Sequence, residues 1–325
     1  MSNQNTGSAG APSGQTGKPL PPIDPNAPLD RRRHAFRPDL AAENLRGRVE
    51  AERFVSGNWG QVVVPSIQIR NKPDTSAAVD TEALFGEVLV VYEVANGWAW
   101  VQLLRDGYVG YAQADAISND VEWPSHRVKA LGTFVFPEPD IKKPPVAHLS
   151  LNSQLRVSSQ EDQFYRLTSG GYVAVRHIAA EDSFARDFVD VAERFTGTPY
   201  LWGGRTRLGI DCSGLVQVAL EAAGFSAPRD SDMQRAEIGN DLLIPEDFEG
   251  LQRGDLMFWP GHVGIMVDGI MLLHANAHHM AVLLGYGATA ICPWLALQVA
   301  AFYPDKKSES CLLYTSDAAD DSVLV

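Results

Sequence analysis

The stretch GIDCSGLVQVALEAAG, residues 209–224, decides how the C-terminal half of the chain folds. Asp211 precedes an apolar, alanine-rich run and Gly224 follows it, which predicts a helix over residues 212–223 with an acidic N-cap. Cys212 falls in the first turn of that helix, where unpaired backbone N–H groups and the helix dipole favour a thiolate. We therefore expect Cys212 to be a nucleophile; the alternative at such a position is a small buried apolar residue.

A thiolate nucleophile needs a base within hydrogen-bond reach, and two histidines follow in GHVGIMVDGIMLLHANA, residues 261–277. A two-residue loop at Asp268 and Gly269 would leave His262 and His274 on opposite faces of a hairpin. A three-residue loop, residues 267–269 with Gly269 left-handed, would pair the two histidines on one face. The nucleophile hypothesis requires that longer loop or a bulge.

The elements around this stretch predict an α+β domain. EDSFARDFVDVAERFTG (181–197) has apolar residues at helical spacing, and the runs DLMFW, HVGIMV, IMLLHAN, AVLLGY and LQVAAFY then read as strands. Helices followed by such strands are typical of a domain whose helices pack on an antiparallel sheet.

The preceding residues predict small β-barrels. From about residue 61 to 117, short β-rich runs alternate with turn signals, including an Asn-Gly turn before Trp98. A weaker copy follows, because FYRLTSGGYVAVRHI (164–178) overlays WVQLLRDGYVGYAQA (100–114) at a constant offset of 64 residues. We expect two tandem barrels.

The two ends differ from the rest of the chain. Residues 1–28 carry almost no large apolar side chains, which predicts a flexible tail, and the charged segment after them reads as a short helix or an arm lying on the first barrel. CLLYTSDAADD (311–321) resembles a translated sequencing adapter, so we expect residues 308–325 to be an artefact.

Composition excludes several classes of protein. The chain has 325 residues, 45% of them hydrophobic, and a formal charge of −13, which argues against nucleic acid or an anionic membrane as partner. The three cysteines are too few for a disulfide framework, and no apolar run is long enough to span a membrane. His278 and His279 read as a surface turn rather than a metal site, so we expect neither metal nor cofactor.

The motifs TPYLWGGRTRLGIDCSGLVQ, GDLMFW, GHVGIMVDG and LLHA resemble, in order, the NlpC family of papain-like cysteine peptidases. The resemblance implies Cys212 as nucleophile, His262 as general base and His274 as the residue that orients it. Tyr200 would line the site beside the nucleophile. The "GYVGY" signature and the barrel architecture resemble bacterial SH3-like domains. The expected fold is thus two small all-β SH3-like barrels followed by an α+β papain-like peptidase domain.

Two SH3-like domains before such a peptidase resemble a subgroup that cleaves γ-D-glutamyl to diamino-acid bonds in murein peptides with a free N-terminal L-alanine. The resemblance implies that Asp211 and Ser213 hold the alanine ammonium and that Ser231 assists. In the subgroup an acidic residue and a tyrosine of the first SH3-like domain close that end of the cleft. Glu87 and Tyr108 are the residues we predict for these roles.

The predicted organisation is a tail and arm at 1–50, SH3-like domains at 51–118 and 119–180, and a peptidase domain at 181–307. The substrate expected is a murein tripeptide, recycled in the cytoplasm because no signal peptide is seen; a misassigned start would allow an extracellular or periplasmic protein. Three alternatives stay open: a general wall hydrolase, an amidase or acyltransferase on the same scaffold, and a non-catalytic wall-binding protein.

Overall fold

The computed structural model describes residues 28–242 and 250–276 and the backbone of residues 281–283. The first part of the chain contains nine strands: β1 (Leu40–Ala42), β2 (Arg53–Val55), β3 (Asn58–Val62), β4 (Ser66–Arg70), β5 (Val79–Leu84), β6 (Val88–Ala95), β7 (Trp98–Leu103), β8 (Val109–Gln113) and β9 (Ile117–Ser118). One-turn 3-10 helices at Glu43–Leu45 and Ala114–Ala116 interrupt them.

Seven of these strands form one antiparallel sheet in the order β5-β4-β8-β7-β6-β3-β9. Strands β6 and β7 meet at the predicted turn, where Asn96 and Gly97 both have positive φ, as a two-residue type I′ hairpin requires. Alternate residues of the sheet, among them Leu89, Val101 and Leu103, face a common core. The β-rich prediction for residues 61–117 is confirmed.

The charged segment before the sheet is an arm that lies on it, one of the two forms that the sequence predicts. Residues 40–55 fold back as the parallel pair β1 and β2, and Leu40 and Leu45 are fully buried against Trp100 and Tyr92. The arm is thereby part of the first domain, because removing it would expose this apolar cluster.

A second all-β region follows the first. Its strands are β10 (His126–Val128), β11 (Gly132–Val135), β12 (Ala147–Ser150), β13 (Gln154–Leu155), β14 (Val157–Glu161), β15 (Phe164–Leu167), β16 (Tyr172–Ala174) and β17 (Ile178–Ala180). The order of its last elements repeats that of the first domain. In the first domain the strands β6-β7-β8 are followed by the turn at Ala114–Ala116 and by β9, and here the meander β14-β15-β16 is followed by a 3-10 turn at Val175–His177 and by the short β17. The sequence repeat at an offset of 64 residues coincides with these corresponding elements.

The C-terminal part packs three helices against a sheet, as predicted for an α+β domain. It comprises α1 (Phe188–Glu193), the hairpin β18 (Arg205–Thr206) and β19 (Gly209–Ile210), α2 (Cys212–Ala222), α3 (Ser231–Glu237), and the antiparallel strands β20 (Leu256–Trp259), β21 (His262–Met266), β22 (Leu272–His274) and β23 (Ala281–Leu283). Helix α1 is shorter than the predicted pattern, because Asp187 accepts a hydrogen bond from Val189 N and caps the helix there. Residue Phe184 consequently lies outside the helix, half exposed.

Helix α2 lies almost entirely inside the protein. All of its residues except Glu221 are buried, and it packs on α1 and on β21. The helix predicted for residues 212–223 is confirmed, with Asp211 as N-cap and Gly224 at φ +88° just past its end. No helix in the described ranges has the length and apolar character to cross a membrane. The strand predicted at residues 297–303 and the adapter-like residues lie outside the described residues.

Candidate active site

The predicted nucleophile is the first residue of α2. Asp211 Oδ1 accepts a hydrogen bond from Gly214 N at 2.7 Å and so starts the helix, which places Cys212 in its first turn at 7% exposure. Helix α2 packs against β21, and the backbone N–H of Val263 donates to the Cys212 thiol. The residue before Val263 is His262, so the nucleophile and the predicted base meet where α2 and β21 touch.

The sequence predicts that Cys212 is present as a thiolate, and this prediction is wrong. Burial raises the pKa of the thiol to about 11, and the neighbouring carboxylate of Asp211 acts in the same direction. The backbone donors of Val263 and Ser213 and the charge of Arg229 lower this pKa by smaller amounts. Desolvation therefore outweighs the lowering of the thiol pKa expected at a helix start, and the resting nucleophile is a neutral thiol.

The two histidines share one face of the sheet and are in contact. Nε2 of His262 and Nδ1 of His274 are 2.8 Å apart, and the two rings are perpendicular. His274 is buried at 2% exposure. Burial lowers the pKa of His262 to about 4, with a smaller opposing influence from Asp211. The resting imidazole of His262 is therefore neutral and able to accept a proton.

The loop that brings the histidines together differs by one residue from the predicted one. Strands β21 and β22 pair Met266 with Leu272, and Val267 N donates to Met271 O, so the loop consists of residues 268–270. This register sets His274 opposite Gly264 and diagonal to His262 rather than directly across from it. Gly269 is not left-handed; Asp268 closes the loop by accepting hydrogen bonds from two backbone N–H groups at 2.7 Å.

Asp211 and Ser213, predicted to hold an ammonium group, both bind a buried arginine. Arg229 is 1% exposed and donates from Nη2 to Asp211 Oδ2 at 2.5 Å and from Nη1 to Ser213 Oγ at 2.8 Å. The second oxygen of Asp211 is occupied by Gly214 N. The charge of Asp211 is thus compensated within the protein, since a guanidinium already pairs with it.

Arg229 also reaches the first domain. Its Nε donates to Oγ1 of Thr81 at 2.9 Å, and the residue before Thr81 is Asp80 at the start of β5. The side chain of Asp80 is half-buried and forms no hydrogen bond or ion pair with residues 28–242 and 250–276. Burial raises the pKa of Asp80 to about 6; the carboxylate of Asp230 raises it further and Arg229 opposes them.

Tyr108 completes this group from the first domain. Its hydroxyl donates to Asp230 Oδ2 at 3.2 Å, and burial together with Asp230 and Asp80 raises the pKa of the phenol. Asp80, Tyr108, Ser213, Arg229 and Asp230 therefore meet at the junction between the first domain and the peptidase domain. We call these five residues the junction cluster.

Glu87 lies elsewhere in the same interface. It is 3% exposed and forms ion pairs with Arg105 at 2.6 Å and with Arg205 at 3.1 Å. Arg205 is fully buried and Arg105 is partly buried, and their hydrogen bonds occupy both carboxylate oxygens of Glu87. Glu87 therefore anchors the two domains and offers no carboxylate oxygen to a ligand. Asp80, and not Glu87, is the acidic side chain of the first domain that lies near Tyr108 and Arg229.

The other two predicted residues lie on segments next to α2. Ser231 is the first residue of α3, and Tyr200, half-buried, forms a backbone bridge to Ile210 and packs on the core that contains Cys212. Sequence reasoning missed Gln234, whose side-chain amide donates to the Ser213 carbonyl at 2.9 Å and ties α3 to the nucleophile.

Arg229 and Asp230 were visible in the motif PRDSDMQ, residues 228–234, in which only the serine was singled out. Asp80 had no local signal, because its role depends on the docking of two domains. His278 and His279 lie outside the described residues.

Two family profiles match the two domains that meet at this interface. Residues 69–117 match the bacterial dipeptidyl-peptidase Sh3 domain, and residues 197–289, which include Cys212 and both histidines, match the NlpC/P60 family. This chain contains an NlpC/P60 cysteine peptidase domain. Its peptidase domain follows a bacterial SH3 domain of the dipeptidyl-peptidase type, as the sequence motifs predict.

Known relatives of this chain include two dipeptidyl-peptidases. Dipeptidyl-peptidase 6 of Lysinibacillus sphaericus is 28% identical over 239 residues, spanning 66% of this chain and 86% of that protein. The γ-D-glutamyl-L-lysine dipeptidyl-peptidase of Bacillus subtilis is 27% identical over 229 residues, with 62% and 73% covered. An NlpC/P60 family protein of Bacillus cereus solved by crystallography is 19% identical, with a TM-score of 0.60 over 71% of this chain and 96% of that one. Its similarity shows the fold.

One further profile, the glutamate synthase central domain, matches residues 262–322. It overlaps the NlpC/P60 match at residues 262–289, where β21 and β22 pair with each other and pack on α2. We therefore assign these strands to the peptidase.

Proposed function

We propose that this peptidase cleaves the bond between γ-D-glutamate and a diamino acid in murein peptides whose N-terminal L-alanine is free. The observation that carries the proposal is Asp80, a half-buried carboxylate without a partner in the described residues, at the junction cluster. A buried ammonium requires such a carboxylate, and the hydroxyl groups of Tyr108 and Ser213 supply further hydrogen-bond acceptors. Two relatives named as dipeptidyl-peptidases support the substrate class.

In this proposal the chemistry starts from neutral groups. His262 takes the proton of Cys212 as the sulfur attacks the γ-glutamyl carbonyl, and His274 orients the His262 ring through the contact between their nitrogens. The C–N bond breaks when the imidazolium gives its proton to the leaving amine. Water then attacks the thioester with His262 as base, which restores the thiol and releases the dipeptide.

The ammonium of the substrate fixes which bond is cut. The junction cluster is joined to the nucleophile by Arg229, which bonds both residues that flank Cys212. An amine held at Asp80 therefore lies at a fixed distance from the sulfur, and the enzyme counts residues from the N-terminus of the peptide. Intact murein, in which this amine is acylated, would be a poor substrate.

The finer features of the fold belong to the same proposal. We assign residues 126–180 to a second SH3-like barrel because its meander, 3-10 turn and final strand follow the order of the first domain. The helix α2 packed on a sheet that carries the histidines supports a papain-like peptidase domain. A role in recycling free murein peptides in the cytoplasm follows from the predicted preference for a free amine.

The test compares three substrates: the tripeptide L-Ala-γ-D-Glu-diaminopimelate, its N-acetylated form, and purified sacculi, with products separated by mass. Acetylation removes the charge that pairs with Asp80, so we expect kcat/KM to fall about 30-fold to several thousand-fold. Cys212→Ala should fold normally and hydrolyse nothing.

Two matched variants test the amine site. In Asp80→Asn the preference for the free amine should fall by at least about tenfold, since the carboxylate is gone. In Asp74→Asn that preference should persist, because Asp74 is an exposed carboxylate of the same domain whose hydrogen bonds go to Ser76 in its own turn. Equal rates of the parent on all three substrates would identify a general wall hydrolase and contradict the proposal.

A further inference from the structure

The N-terminal arm carries a cation that reaches the junction cluster from outside both matched domains. Arg32 lies in a turn closed by His34 N donating to Asp30 O, far before residues 69–117 and 197–289. Nη1 of Arg32 donates to Asp230 Oδ2 at 2.9 Å and to Asp232 Oδ1 at 3.0 Å, while Nη2 donates to Asp232 Oδ2 at 2.8 Å. Bonds to Asp30 use the remaining N–H groups, so the guanidinium is fully engaged.

The arm holds helix α3 at both ends. Asp230 and Asp232 flank Ser231 at its start, and Arg33 forms an ion pair with Glu237 in its last turn. Backbone bonds fix the arm to the first domain, since Val109 N donates to Arg32 O at 2.7 Å. Arg32 is thereby set against Asp230 by the folded arm.

The charges of the junction cluster can then be paired one by one. Arg229 bonds Asp211 and also lies near Asp230. Arg32 bonds Asp230, whose same Oδ2 atom accepts the hydroxyl hydrogen of Tyr108, and shares its charge with Asp30 and Asp232. Asp80 is left over. The charged groups that face Asp80 are Asp230 and Arg229 from the segment before α3, with the phenol of Tyr108 from its own domain.

We propose that Arg32, by bonding Asp230, leaves Asp80 as the one carboxylate of the junction cluster without a hydrogen bond or ion pair in the described residues, so that the cluster accepts a single ammonium group. Arg32 is then a specificity-determining positioning residue that acts through Asp230 and touches no substrate. The inference rests on the proposed function for the identity of the ligand.

Loss of Arg32 has a consequence that a purely structural role would not have. Asp230 would lose its bonded cation, and the charge of Arg229, already bonded to Asp211, would be the one left beside the two carboxylates. Asp80 and Asp230 would then share a proton, because like charges in a half-buried site resist simultaneous ionisation. The pKa of Asp80 stands at about 6 with Arg32 present and would move higher without it. As the pH falls, Asp80 would then be protonated at a higher pH than in the parent, and the free amine would lose this carboxylate as its partner.

The experiment measures kcat/KM for the free tripeptide from about pH 5 to 9 in the parent, Arg32→Met, Arg32→Lys and Arg46→Met. Arg46 is the matched control, since it lies on the same arm and pairs only within it, with Glu43. We expect the acidic limb of Arg32→Met to move up by about one pH unit, with most of the loss in KM, and Arg32→Lys to restore most of it. A uniform loss at every pH, or superimposed profiles, would overturn the inference.

Thermal unfolding gives a reading that needs no substrate. In Arg32→Met the folded protein holds a proton between Asp80 and Asp230 that the unfolded chain releases, so stability falls as pH rises through the raised pKa. The melting temperature of Arg32→Met should drop relative to Arg46→Met by about 2 to 4 °C between about pH 6 and 8. If the parent fails to cleave the tripeptide, the proposed function fails, and parallel melting curves would still overturn the inference.

Discussion

Cys212 and His262 are both uncharged in the resting enzyme between about pH 5 and 10, since their pKa values are about 11 and about 4. Burial is the first cause in each case. A closed site keeps the thiol from reacting with small electrophiles, and the proton moves to His262 only when a bound carbonyl receives the sulfur. The two residues therefore depend on substrate for their activation.

This resting state predicts slow alkylation of Cys212 by iodoacetamide. The rate should rise about tenfold per pH unit between about pH 7 and 10, because only the thiolate reacts. The reaction is followed by mass spectrometry, with Cys212→Ala giving the background from Cys292 and Cys311. A rate that is already constant below about pH 7 would show a stable thiolate and contradict the assignment.

For single residues, the sequence correctly predicts the local structure where the interacting residues are close in the chain. The cap of Asp211 and the place of Cys212 in the first turn follow from local pattern and are confirmed. The raised pKa of Cys212 depends on burial, and the surroundings of Asp80 and the ion pairs of Glu87 depend on the docking of two domains, which no local pattern contains.

At the scale of elements, the hairpin of β21 and β22 brings the histidines into contact. Hairpin pairing has a period of two, so a loop of the wrong parity would turn His274 to the other face of the sheet. The sequence correctly restricts the loop to an odd number of residues but misplaces it by one. The reason is Asp268, whose side chain accepts from Ile270 N and Met271 N and so starts the loop one residue later.

We expect Asp268→Ala to lower the melting temperature slightly and the activity strongly. The side chain of Asp268 is short and only partly buried, so its loss removes two loop hydrogen bonds without opening a cavity. The loop that sets the strand register of His274 is then no longer held by these bonds. Circular dichroism melting and tripeptide hydrolysis measure the two effects, and Asp268→Asn, which retains an acceptor oxygen, is the control. A full loss of folding, or equal activity in both variants, would contradict this role of the loop.

For the whole molecule, the interface between the first domain and the peptidase is built from charge as well as apolar surface. Arg205, fully buried, donates to Glu87 and to Glu221, and its backbone N–H donates to Glu82. Residues Glu82 and Glu87 belong to the first domain, whereas Glu221 belongs to α2. The junction cluster lies in the same interface, so these ion pairs fix the distance between Asp80 and Cys212.

Arg205→Met tests this coupling. Removing the cation leaves the buried carboxylates of Glu82 and Glu87 and the half-buried carboxylate of Glu221 close together, with Arg105, which also pairs with Asp106, as a counterion. Breaking such a buried pair costs about 3 to 5 kcal/mol. Since burial already raises the pKa of Glu82 and of Glu221, the variant should lose more stability as the pH rises and these groups are forced to ionise.

The same variant should also weaken the selection of a free amine, because a loosened first domain no longer holds Asp80 beside Asp230. We expect the ratio of kcat/KM for the free and N-acetylated tripeptides to fall by about tenfold or more. Arg253→Met is the matched control: Arg253 pairs with three acidic residues on the surface of the peptidase domain alone, where exposed ion pairs contribute at most about 1 kcal/mol. If Arg205→Met loses stability but keeps the full preference for the free amine, the junction cluster is assembled by the arm and α3 without help from this interface.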